Sequence, residues 1–267
     1  MREIKTSKEL HLVLLDIAKV FHEICQKHQI PYYMLGGTML GAIRHKGFIP
    51  WDDDMDFGIP REYFEKFQKA CLNELPLYYK LHTVETSEYA ALGINKLSDQ
   101  RTKVIETYSV KSTEYMGINI DIFPLDQTNN NASFCSFNMY IRGLFKLQKL
   151  LFVESKNRAY LKKILANIIQ YVFRISRKFI PSYITNIMKG RLSRKRLDYI
   201  INYFGAWGMK ELLPKDVFGI ACLYKFESIE LYGVEKYDDY LKSLYGDYMQ
   251  LPSKDKRHLH FDNIFYL

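Results

Sequence analysis

The apolar positions of this chain change period several times, and each change marks an element. Leu10, Val13, Leu14, Ile17, Phe21, Ile24 and Cys25 recur at helical spacing, which predicts an amphipathic helix over residues 7–28. Thr6 followed by Glu9 supplies a capping-box start. Pro31 ends the approach, and Tyr32-Tyr33-Met34-Leu35 reads as a short aromatic strand. Gly36-Gly37 breaks it, and Thr38 is placed to cap a helix running to about Arg44. After His45-Lys46-Gly47 comes an acidic strand that Pro60 ends, and residues 61–75 place Tyr63, Phe64, Phe67, Ala70 and Cys71 at helical spacing.

Strand-like runs follow at 78–84, 91–97 and 102–107. Residues 116–123 alternate strictly, with Asn119 and Asp121 on one face, and Pro124 is expected to stop that strand. A polar turn at 127–131 separates this half from a helical half of about 132–203, and the tail returns to short strands at about 216–232. The expected divisions are a core of 1–131, a basic helical region of 132–210 and a C-terminal part of 211–267 that packs back on the core. No flexible linker or repeat interrupts the 267 residues, so the parts are expected to form one body.

Charge changes the picture only once it is located. The net charge is +8, but residues 142–200 hold 15 Lys and Arg against Glu154 and Asp198, which makes that segment +13 and the rest −5. Its basic residues, among them Arg174, Arg177, Lys178 and Arg194-Lys195-Arg196, are interleaved with Ile164, Ile168, Ile169, Val172 and Phe173. Such a surface suits an anionic membrane. Nucleic acid is the usual rival, but no nucleic-acid-binding motif accompanies the patch. The first ten residues lack the apolar core of a signal peptide, and no window approaches the roughly 20 apolar residues that span a bilayer. Four dispersed cysteines without a CxxC read as reduced, mostly buried thiols. These features together predict a cytoplasmic protein held peripherally at the inner face of the cell membrane.

The candidate chemistry lies in Trp51-Asp52-Asp53-Asp54-Met55-Asp56. Four carboxylates within five positions repel one another, and a fold that keeps them together usually neutralises them with cations. In a strand, Asp54 and Asp56 share one face while Met55 and Phe57 turn to the core; alternation adds Asp52 to that face and sends Asp53 away. Oxygen ligands without His or Cys suit a hard cation such as Mg²⁺ bound together with substrate phosphates. A solvated acidic turn or a calcium loop is the alternative, but residues 57–60 offer none of the further oxygen ligands such a loop needs. Asp121 is a third carboxylate at a strand end inside an apolar run, where a free charge is costly. Upstream, Gly36-Gly37-Thr38 leaves room for a phosphate at a helix N-terminus.

A Gly-Gly-Thr turn, an Asp-x-Asp strand and a later Asp resemble the nucleotidyltransferase active site. The run from Met34 to Pro60 further resembles the signature of the LicD family, which includes phosphocholine transferases and is related to the fukutin group. Asp121-Ile-Phe-Pro-Leu-Asp126 and Tyr245-Gly-Asp-Tyr-Met-Gln-Leu-Pro252 are similar to its later motifs. The resemblance implies an α+β fold: a nucleotidyltransferase (polymerase-beta-like) mixed-sheet core with flanking helices and a helical, basic insertion. It implies transfer of phosphocholine or a related phospho-alcohol from a CDP donor such as CDP-choline to a glycan acceptor, lipid-linked and bound for lipopolysaccharide, teichoic acid or capsule. Asp54 and Asp56 carry over as the Mg²⁺-binding pair, with Mn²⁺ as a substitute. Asp121 matches a third acidic position, as metal ligand or proton acceptor, and Asp52 belongs to the same run with a less direct role.

The remaining candidates have plain alternatives. Arg44 and Lys46 suit donor phosphate or an ordinary surface, and Lys96 suits a phosphate reached from mid-sheet. Trp51 suits a base or a quaternary ammonium, or core packing beneath the acidic strand. His258 and His260 lie in the tail, and Asp247 suits a structural turn. Two rival activities stand beside the leading one: a true nucleotidyltransferase that releases pyrophosphate, and a non-catalytic glycan- or lipid-binding relative.

Overall fold

The computed structural model describes residues 1–83, 86–87, 94–105, 108–110, 115–130, scattered positions between 136 and 187, 197–253, 255, 257 and 264–267. In chain order the strands and helices are β1 (Arg2–Glu3), α1 (Ser7–Lys27), β2 (Tyr33–Met34), α2 (Gly36–Arg44), β3 (Asp56–Pro60), α3 (Arg61–Glu74), β4 (Tyr79–His82) and β5 (Asn95–Val104). They continue with β6 (Tyr108–Val110), β7 (Met116–Thr128), β8 (Val153–Ser155), β9 (Tyr199–Ile201), β10 (Leu212–Pro214), α4 (Lys215–Phe218), β11 (Cys222–Phe226), β12 (Ile229–Gly233), α5 (Tyr237–Tyr245) and β13 (Ile264–Tyr266). This is a mixed α+β arrangement.

The main sheet runs β1-β13-β5-β7-β3-β2-β12-β11, with β4 beside β5 and the β9–β10 pair beside the far end of β7. Its centre is the parallel pairing of β3 with β7, which sets Asp56 opposite Asp121. The antiparallel pairing of β5 with β7 sets Lys96 opposite the same Asp121. One line across three strands therefore carries the acidic and basic groups of interest.

The core lies behind that line. Met55, Phe57 and Ile59 are fully buried beneath the acidic face, against Phe21 of α1 and Phe67 of α3. Phe21 contacts Tyr32, Phe57 and Phe67 with ring centroids 4.7, 4.6 and 5.5 Å apart. Truncating so central a ring to Ala would cost about 3–5 kcal/mol. The same cluster takes in Phe226, Leu231, Tyr240, Leu244 and Ile264, so the C-terminal strands and helix share the core of the N-terminal half.

Several expectations are met and others corrected. Helix α1 starts as read: the Glu9 N–H donates to Thr6 Oγ1 at 3.2 Å. Thr38, by contrast, does not cap α2, whose N-cap is Leu35. The cap lies three residues earlier, because Gly36 takes the left-handed φ of +48° that turns the chain out of β2. The strand read from Asp52 begins only at Asp56, with a tight turn before it in which the Asp52 N–H donates to Ile49 O at 2.9 Å.

Residues 95–104, expected in two strands, form the single β5, which carries a register shift between Asp99 and Val104. Nor does Pro124 stop β7. It lies beyond the last β5 pairing, at Ile122, and before the first β9 pairing, at Asp126, so no partner strand on that side needs its N–H. Within the span expected to be helical, 153–155 and 199–201 are strands. Most of the basic segment lies outside the described residues.

Candidate active site

Local sequence places each group. Leu35 N–H donates to Asp56 O at 2.9 Å, which ties the end of β2 to the start of β3. Thr38, the third residue of α2, accepts the Asp56 N–H on its Oγ1 at 2.8 Å. The hydroxyl thus fixes the strand residue instead of capping the helix. The Gly36 N–H is also taken, donating to the hydroxyl of Tyr240 at 3.0 Å, so it is not a free anion donor. The two glycines are favoured for different reasons: a Cβ on Gly37 would lie 2.6 Å from Asp52 Oδ2 and force a shift, whereas Gly36 is held by its φ of +48°, with a Cβ there 3.3 Å from Asp56 Oδ2. His11 of α1, stacked on Phe48 with centroids 4.1 Å apart, bonds through Nε2 to the carbonyl of Asp52 at 2.7 Å and pins the acidic turn from below.

Burial and mutual repulsion dominate the electrostatics of Asp54 and Asp56. Burial first, then Asp52 and Asp121, push the Asp54 carboxyl up to about 8, although Asp54 keeps surface open to the cleft. Asp56 is raised well above the ordinary range, by burial and then by Asp54 and Asp121. Lys96 opposes both shifts, and its ammonium lies 2.5 Å from Asp121 Oδ1 and 3.2 Å from Asn119 Oδ1. Oxygens of Asp52, Asp53 and Asp54 also lie within 4.8 Å of one another. With no strand before Asp56, the expected turning away of Asp53 does not hold. Crowded hard oxygens, two of whose carboxyls are raised above the ordinary range by burial and by one another, fit a divalent cation of the Mg²⁺ type.

Two cavities meet at the Asp54–Asp56 pair. One, of about 630 Å³, is lined by Gly36, Gly37, Lys96 and Asp121 and by a wall of residues 202–207 with Glu211. The other, of about 620 Å³, is lined by Arg44, Trp51 and Asp52 and by the Tyr245–Ser253 segment. Gly37, Asp54, Asp56 and Tyr245 border both.

Arg44 donates through Nη1 to the carbonyl of Tyr248 at 2.7 Å. Burial lowers its pKa, and Arg257 acts in the same direction; a guanidinium stays charged regardless. Trp51 is half-buried against the core, with the guanidinium of Arg257 4.9 Å from its ring centre. Asp247 lines the second cavity, and its carbonyl accepts the Gln250 N–H at 3.2 Å.

Thus Gly36, Gly37, Lys96, Asp54, Asp56 and Asp121 surround one cavity, and Arg44, Trp51 and Asp52 the adjoining one. Lys46 lines neither: it is a turn residue with φ +58°, whose carbonyl accepts the Glu227 N–H at 2.8 Å. His258 and His260 lie outside the described residues.

Sequence reasoning missed Tyr240, Glu211, Trp207 and the role of Tyr245. The Tyr245 hydroxyl would be 3.7 Å from a Cβ on Gly36, and burial, then Asp56 and Asp52, raise its pKa. Only Tyr245 carried a signal, inside the Tyr-Gly-Asp-Tyr run.

Comparison with known proteins agrees with this geometry. The family described as LicD/FKTN/FKRP, nucleotidyltransferase domain, matches residues 29–159, which include the acidic turn, β3 and β7. The chain is 30% identical over 263 residues to the lipopolysaccharide cholinephosphotransferase LicD of Haemophilus influenzae, covering 96% of both chains. It is also 37% identical over 81 residues, 30% of this chain and 26% of the relative, to an uncharacterized protein of Rickettsia typhi. A match of 42% over 62 residues, 23% of each chain, links it to an uncharacterized protein of Rickettsia prowazekii. With a similarity that runs the length of the chain through the carboxylates, the cavity walls and the C-terminal helix, this chain belongs to the LicD family and is a LicD-type transferase.

Proposed function

We propose that this protein transfers phosphocholine from CDP-choline to a hydroxyl of a lipopolysaccharide-type glycan precursor, on a nucleotidyltransferase-type core. The observation that supports it best is the line Asp56, Asp121 and Lys96 across three strands, with Asp54 beside it and a cavity on either side. The similarity to a lipopolysaccharide cholinephosphotransferase supplies the phospho-alcohol and the acceptor class. Asp54, Asp56 and Asp121 would hold Mg²⁺ or Mn²⁺, which supplies neutralisation of the charge on the transferring phosphoryl oxygens.

The chain's own residues do the rest. Arg44 binds a donor phosphate, and the Gly36-Gly37 turn lets the donor approach the carboxylates closely. The acceptor oxygen forms its bond to the choline-bearing phosphorus as the bond to the bridging oxygen breaks, and CMP leaves. Asp121 takes the acceptor's proton, and Lys96 steadies the carboxylate beside it.

The +13 segment 142–200 would hold the enzyme at an anionic membrane where a lipid-linked acceptor resides. Its described residues Ile164, Ile168 and Tyr171 are exposed at helical spacing. Among the described residues no helix is long and apolar enough to cross a membrane.

The test is a thermal-shift screen of CDP-choline, CDP-ribitol, CDP-glycerol, CTP and ATP, each with and without Mg²⁺. A ligand that binds only the folded state raises stability by RT ln(1 + [L]/Kd). CDP-choline with Mg²⁺ should give the largest shift, and turnover should release CMP. Release of pyrophosphate from CTP instead would replace this reading with a nucleotidyltransferase.

A further inference from the structure

We infer that the 202–211 wall of the first cavity is a subsite for the quaternary ammonium of choline, with Glu211 and Trp207 as its recognition groups and Tyr245 linking it to the reacting phosphate. The inference rests on the phosphocholine reading and assigns which end of the cleft takes the choline.

Glu211 is a carboxylate only 5% exposed, and it lines the cavity. Its Oε1 accepts the Trp207 N–H at 2.9 Å, which folds the short 3-10 turn Gly208–Glu211 back on itself. Gly205 makes room for it, since a Cβ there would collide with both carboxylate oxygens. Trp207 stands at the mouth, 41% exposed, and Phe204 lines the same wall. The Trp207 ring meets Tyr245 edge to face, with centroids 4.7 Å apart. The Tyr245 hydroxyl in turn reaches the Asp56 carboxylate region. A phosphorus at the carboxylates and a cation at Trp207 are thus separated by one aromatic ring.

A trimethylammonium group cannot donate hydrogen bonds. Aromatic faces and a carboxylate attract it through charge alone, and a desolvated site strengthens that attraction. The competing aromatic, Trp51, is a poor candidate because Arg257 already lies 4.9 Å from its ring and Arg44 lines the same cavity. Trp207 also has a cation nearby: the Lys210 ammonium lies 5.5 Å from the ring, anchored on Leu244 O at 3.2 Å. Glu211, unlike Lys210, lines the cavity.

The probe is choline itself, compared with 3,3-dimethyl-1-butanol, its neutral isostere. Fluorescence of Trp207 is read in the full-length Trp51→Phe protein, which leaves Trp207 as the one tryptophan. Choline should quench it saturably and bind at least about tenfold more tightly than the neutral isostere. Glu211→Gln keeps an acceptor for the Trp207 N–H and should weaken choline about tenfold while leaving the isostere unchanged. In turnover, Glu211→Gln and Trp207→Leu should each reduce the kcat/KM preference for CDP-choline over CDP-ethanolamine by about tenfold or more. Trp207→Leu changes a partly exposed ring and serves if the buried substitution fails to fold. Equal binding of choline and its isostere would overturn the subsite. So would an unchanged donor preference in both variants while CMP is still released, an outcome that leaves the phosphocholine reading standing. Saturable choline binding in a protein that turns over no CDP donor would instead support the subsite and sink the proposed reaction.

Discussion

The two cavities share Asp54, Asp56 and Tyr245, yet they are finished in opposite ways. The first ends in rings and a buried carboxylate, with Lys96 committed to Asp121. The second carries Arg44, with Arg257 against Trp51 beside it. A donor whose leaving half is an anionic nucleotide and whose transferred half ends in a cation needs this asymmetry. The carboxylates alone cannot orient such a donor, because their charge is the same from either side. On the proposed reading, direction would come from the walls, and the shared centre would supply the chemistry. The consequences can be tested from the centre outward.

The largest effect should come from the shared centre. Asp54→Asn and Asp56→Asn should each abolish turnover, beyond the ~10²–10³ that loss of a single transition-state donor costs. The apo protein should not lose stability. A carboxyl raised to about 8 in the folded state and ordinary in the unfolded state binds more protons when folded, so apo stability falls as pH climbs from the usual carboxylate range toward 8. The Asn variants lack that penalty, so their apo Tm should match wild type near pH 4 and exceed it near pH 8. Mg²⁺ should raise the wild-type Tm at pH 8 and leave the variants nearly unmoved. A large fall in apo Tm with activity retained would make these residues structural and dissolve the idea of a shared centre.

Next comes the carboxylate that belongs to the first cavity alone. Asp121→Asn should lower kcat by ~10²–10⁴, much more than it weakens donor or cation binding, because a proton acceptor acts in the transition state. Equal losses in donor and cation binding would make Asp121 a ligand only and place all the chemistry on the acidic turn.

How much of this was legible in the sequence follows the same division. The line of carboxylates could be read because its signals are local: Asp54 and Asp56 sit two apart against buried Met55 and Phe57, and Asp121 interrupts an apolar alternation. Helix α1 was read to within a residue because its period and cap lie within one segment. Errors arose where a distant partner decides. Pro124 sits inside β7 because β5 and β9, on the side away from β3, both stop short of it, which no local rule reveals. Thr38 looks like a cap until Asp56, 18 residues away, claims its hydroxyl. Glu211, Trp207 and Tyr240 are brought to Gly36 and Asp56 by C-terminal strands and a helix, and no spacing rule links 36 to 240.

The smallest effect should come from the second cavity, where Arg44→Gln would remove the one charge-assisted contact to a donor phosphate that is proposed for Arg44. Such a contact is worth roughly 1.5 kcal/mol, so KM for CDP-choline should rise about tenfold while kcat holds. Inhibition by CMP should weaken by a similar factor, since CMP keeps the phosphate that Arg44 would bind. The choline-over-ethanolamine preference should stay as it is in the wild type if it is set across the carboxylates by the other wall. Arg44 also holds the Tyr248 carbonyl at 2.7 Å, so Tm must be followed beside the kinetics, with Arg44→Lys as a variant that keeps charge but not the planar fork. Partial rescue of KM by Lys would point to charge at a phosphate, whereas equal damage from Gln and Lys with a matching fall in Tm would make Arg44 a strut for the Tyr245–Ser253 segment. If Arg44→Gln altered the donor's alcohol preference and Trp207→Leu altered CMP inhibition, the two cavities would have to exchange their assigned halves of the donor.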